Sequence, residues 1–280
     1  MNRQENLKAD RTVDHFLADI GDDNSEQARI FYAEEWGQIL SADPDDYRGN
    51  LTGAPYSGEA IISALTVLGV FIRCVPEIYY TKDLKMPNHR NCKDPIEERL
   101  KLIHRCPSVT DDEKQAFLQL ADVWNCRANF MPLPVGTLNT TKGNADGKYH
   151  DFPDLFYADL LKGDGRLKWL FSKEENTAYF AKFGIINGSE VTETWKKSFT
   201  ENNFLQDLFS DDSYQNCKRL APSAKIILPY NDKIATSMCD THYPCCQKHL
   251  ARNYICQDFL PAAVLLINNR AKRLAKRYSD

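Results

Sequence analysis

The chain has 280 residues, enough for one large domain or two small ones, and a formal charge of −4 with a pI near 5.9. That balance excludes a molecule coated in basic surface, so any contact with nucleic acid must use a local patch. The polar start from Met1 to Asp14 carries no apolar core of a secretory signal, and the longest apolar run, Ala60 to Ile72, is too short to cross a bilayer, which takes about 20 residues. No membrane role is expected. The composition reads as a cytoplasmic protein whose nine cysteines stay reduced unless a metal takes some of them.

In chain order, Val13, Phe16, Leu17 and Ile20 recur at helical spacing and predict a helix over Leu7–Ile20, closed by Gly21. Asn24-Ser25 caps a second helix with Ala28, Ile30, Phe31, Ala33, Trp36 and Leu40 on its apolar face, ending at Asp43-Pro44. Asp45–Gly58 reads as a loop, and Ser57–Val75 as a helix buried on most sides, the expected hub of the core. Lys82–Lys93 is turn-like, and Asp94-Pro95 opens a helix through Ile103 that must stop before Pro107.

Thr110 and Glu113 form a capping box for a helix with Phe117, Leu118, Leu120, Ala121 and Trp124 inward. Ala128–Leu133 is a short apolar run, predicted as a strand or a buried extended loop. Thr137–Lys142 suits one short helix, and Phe152–Leu161 and Leu167–Phe183 two longer ones. Asn187-Gly188-Ser189 is a break and cap before a helix ending near Phe209, and Ala224–Leu228 is β-like. Tyr254–Tyr278 is a helix interrupted early by Pro261 and basic at its end. The economical architecture is a mainly α (α+β) chain: a single helical domain over 1–280 with a small β-strand or ββα-like element around 103–150.

Three groups of residues carry chemistry. The first is His104-Arg105-Cys106-Pro107, then Asn129-Phe130-Met131-Pro132-Leu133-Pro134 beginning 22 residues after the proline, then Leu138-Asn139 and Lys142-Gly143-Asn144. This series resembles the ββα-metal segment of HNH-type nucleases, most closely the branch at the C-terminal end of modification-dependent restriction enzymes, and covers about 100–161. The resemblance implies His104 as the general base that activates water and Asn129 as the residue that orients it. It implies Asn139 on the metal side, with Asn144 or His150 as further metal candidates, and Mg²⁺ or Mn²⁺ as cofactor.

The logic suits phosphodiester cleavage, which needs a base near neutral pKa and a cation against the developing charge. The family places Asp, Glu or His just before the base, and here Ile103 stands there. Asn and water alone hold Mg²⁺ weakly, so an acid such as Asp151 or Asp154 must arrive through the fold, or the site is inactive. Asn129–Pro134, Asp154-Leu155-Phe156 and the closing helix Phe259–Arg277 are also similar to uncharacterised bacterial proteins from strains carrying phage-defence genes.

The second group is Cys239, His242, Cys245, Cys246, His249 and Cys256. Cys239 and His242 with Cys245 and His249 give the four soft ligands of a zinc site. Only Tyr243 and Pro244 separate the pairs, and Cys256 in place of one ligand would relax that; buried or idle thiols are the plain alternative. The third is cationic: Lys142 near the asparagines, and Arg270, Arg273 and Arg277 on the last helix, which suit phosphates or simply complement the helix C-terminus. Two functions follow: a metal-dependent DNA or RNA phosphodiesterase serving bacterial defence, or an inert sensing module that binds a protein partner or phage component.

Overall fold

Side-chain caps start most helices where sequence chemistry supplies them. In the computed structural model, which describes residues 11–49, 53–79, 87, 91–135, 170–187, 190–208, 252–253 and 255–279, the Thr12 hydroxyl accepts from the His15 amide to open α1, Val13–Leu17. Ser25 does the same from Ala28 at 3.0 Å for α2, Glu26–Leu40. The described helix α1 is shorter than periodicity predicts, because Asp19 bridges to Cys126 and the Ile20 amide donates to the Asn125 carbonyl. Tertiary backbone pairing there overrides helical spacing. Helix α2 buries Ala28, Phe31, Trp36 and Leu40 as expected and Tyr32 besides, but Ile30 is 43% exposed.

The chain groups into two compact units: Met1–Ile62, Val123–Arg219 and Leu265–Asp280 in the first, Ser63–Asp122 and Leu220–Val264 in the second. In the first, strand β1, Tyr56–Ala60, pairs antiparallel with β2, Phe130–Pro134, in the register Gly58↔Pro132. The position of β1 corrects the expected loop to Gly58 and the expected helix from Ser57. Gly58 is required in β1: an added Cβ would lie 1.7 Å from the Asp23 carbonyl oxygen and 2.5 Å from the Tyr32 hydroxyl. All five residues of β2 are buried, and the Tyr179 hydroxyl donates to the Pro132 carbonyl at 2.8 Å. Two prolines are tolerated because, among the described residues, this sheet has two strands and asks little of their missing donors.

The rest of that unit is aromatic. Helix α7, Glu174–Ala181, follows a 3₁₀ turn at Leu170–Ser172, so the expected continuous helix is broken near Lys173. A hairpin of β3, Ile186–Asn187, and β4, Glu190–Val191, stands where a simple break was expected. Helix α8, Glu193–Asn202, ends earlier than Phe209 because Phe204 turns left-handed at φ 56°. The Trp195 and Phe199 rings stack at 4.7 Å, and the Trp195 indole donates to the Phe180 carbonyl at 2.7 Å.

In the second unit, α3, Ala64–Arg73, begins several residues later than predicted and buries Val67, Leu68, Phe71 and Ile72. A short helix α4, Pro76–Tyr79, follows, then α5, Pro95–Arg105, and α6, Asp111–Ala121. Phe71 meets Phe117 edge-on at 4.7 Å. The capping box of Thr110 and Glu113 is formed as predicted. Leu118 is 40% exposed and Trp124 lies beyond the end of α6, so neither is the inward helical residue expected. A π turn at Ile255–Phe259 leads into the last helix, α9, Leu260–Lys276, with Pro261 just after the π turn and the residues from Leu265 onward belonging to the first unit.

The chain is thus mainly helical with small antiparallel sheets among the described residues. No described helix is long and apolar enough to cross a membrane. The elements expected at Thr137–Lys142, Phe152–Leu161 and Ala224–Leu228 lie outside the described residues.

Candidate functional site

His104 occupies the last turn of α5. The Asp94 carboxylate accepts from the Glu97 amide at 2.9 Å and Pro95 fixes the first turn, while Cys106 turns extended ahead of Pro107. His104 and Arg105 are exposed, whereas Ile103 has no exposed surface at all. Successive helical residues diverge by about 100°, so the position preceding the histidine faces the core and holds no ligand. The histidine comes from a helix, not from a strand next to β2, whose pairing partner is β1 from far upstream.

Asn129 has no exposed surface. Its side-chain oxygen accepts from the Ile62 amide at 2.9 Å, and its nitrogen donates to the carbonyls of Ile62 at 3.0 Å and Trp124 at 2.7 Å. Its backbone carbonyl also accepts from Ile61 at 2.7 Å. The residue staples the end of β1 to the entry of β2. Both side-chain donors and the oxygen are engaged by backbone, which leaves little to orient a catalytic base. His104 belongs to one compact unit and Asn129 to the other.

Among the cationic candidates, Arg270 is fully buried and corrects the expectation of a phosphate contact. Its Nε donates to the Asn203 carbonyl at 3.0 Å and its Nη1 to those of Ala128 at 2.7 Å and Phe130 at 2.9 Å. The guanidinium holds the entry of β2 against α9 and the end of α8. Arg273 is exposed but gripped by Asp207 through two bonds of 2.7 and 3.1 Å, and Arg277 lies 3.4 Å from Glu35. Asn139, Lys142, Asn144 and His150, the acids Asp151 and Asp154, and Cys239, His242, Cys245 and His249 lie outside the described residues.

Cys256 is buried, and loss of solvent raises its thiol to about 12. Cys126 is raised to about 11 for the same reason. Among the described residues no group of three or more His, Cys, Asp or Glu side chains is placed to hold a metal ion.

Two buried ionic clusters escaped the sequence reading. Glu35 accepts from Arg11 at 2.6 Å and from the Tyr278 hydroxyl, with Arg11 also on Glu34 at 2.7 Å. Burial raises the Glu35 carboxyl above its ordinary 4.5, outweighing the bonds from Tyr278, Arg11 and Arg277 that lower it. Perturbed acids often mark reactive sites, but the Glu35 side chain has no exposed surface. It ties together residues distant in the chain. Glu113 is the other case: besides capping α6, it takes Arg252 Nε and Nη2 at 2.5 Å each, and Arg252 Nη2 also reaches the Ser108 carbonyl. Only the capping half of Glu113 had a local sequence signal. Comparison of the chain with protein-family models, with curated proteins and with solved structures finds no match.

Proposed function

We propose that the protein acts by binding, as a sensing or protein-interaction module of a bacterial defence system that recognises a protein partner or a phage component, and that His104 performs no phosphodiester chemistry. The observation that carries this reading is the state of Asn129. A residue that orients a base needs a polar atom left for it, and this one is sealed from solvent with its oxygen and both donors on backbone groups. The buried Ile103 supports the same conclusion, since the position that would supply a carboxylate or imidazole to Mg²⁺ or Mn²⁺ packs in the core.

The test is nicking of supercoiled plasmid, with parallel single-stranded DNA and RNA substrates, in Mg²⁺ or Mn²⁺. Purified protein is compared with His104→Ala and with an EDTA control. Folded protein is expected to leave all substrates intact. Cleavage that disappears in both controls would overturn the reading in favour of a degenerate HNH-type nuclease and direct attention to Asp151 and Asp154 as the missing metal ligand. Without cleavage, affinity capture of a discrete partner becomes the positive test of the binding role.

A further inference from the structure

We draw no further inference here: the strongest candidate, the exposed cationic strip of Lys272, Arg273, Lys276 and Arg277 at the end of α9, already has Arg273 on Asp207 and Arg277 on Glu35, and nothing in the structure shows what would cover the two lysines.

Discussion

Replacing Asn129 by alanine tests whether this residue is a structural staple. The substitution removes the acceptor of the Ile62 amide and the donors to the Ile62 and Trp124 carbonyls. A buried amide left without a partner costs about 1–3 kcal/mol, and each abandoned carbonyl costs about 1 more. The sum is about 3–5 kcal/mol. With a urea slope of about 3 kcal/mol per molar for a chain this long, the unfolding midpoint should fall by about 1–1.5 M.

The three described tryptophans, Trp36, Trp124 and Trp195, belong to the unit containing Asn129. Tryptophan fluorescence during the urea titration therefore reads the unit in question. Asn129→Asp sharpens the test, because it keeps the shape and one acceptor but turns a carboxylate oxygen towards two carbonyls. It should be at least as destabilising as alanine at pH 7 and recover part of the loss at pH 4 as the carboxyl takes a proton. A midpoint shift below about 0.3 M for Asn129→Ala, or no pH dependence of the aspartate deficit, would refute the staple. Asn129 would then again be available for catalysis.

Arg270→Ala should cost about 3–5 kcal/mol in the same titration, because three buried carbonyls lose their donor and a void opens. Arg273→Ala should stay within about 1 kcal/mol, since its pair with Asp207 is partly exposed; equal effects would contradict the placement of Arg270. Gly58→Ala should destabilise by more than about 3 kcal/mol or prevent folding, for the added methyl meets a backbone carbonyl, and a wild-type midpoint would show that β1 is misplaced. Burial acts to raise the Glu113 carboxyl, but bonds from Arg252 and Thr110 outweigh it and the net value is below 4.5.

A depressed acid stabilises the fold above its unfolded value and loses that contribution as pH falls through the folded one. Glu113→Gln should thus lower stability by about 2 kcal/mol at pH 7, with the gap to wild type closing below pH 4.5; a gap constant from pH 7 to pH 3.5 would be the contrary result. Alkylation with iodoacetamide at pH 8, read by peptide mass, should label the half-buried Cys92 ahead of Cys126 and Cys256, whose thiols are buried and raised. Early labelling of Cys256 would count against its burial.

Local chemistry made much of this architecture legible. Thr110 with Glu113, Ser25 and Asp94-Pro95 each satisfy a helix's first amides within a few residues of chain, so α2, α5 and α6 start where the sequence places them. The burial of Phe31, Trp36, Phe71 and Phe117 follows from their spacing. The candidate site was another matter. The words His104, Asn129 and Arg270 read as chemistry because sequence shows a side chain's functional groups but not what they meet.

Only the tertiary structure decided that Asn129 meets the backbone at Ile62, that Arg270 meets three carbonyls, and that Tyr56–Ala60 is a strand paired with a segment far along the chain. Such bonds join residues separated by tens or hundreds of positions, and no local period records them. Burial then determines their meaning: the same amide or guanidinium that recognises a ligand at a surface becomes, out of water, the required partner of backbone groups that have no other.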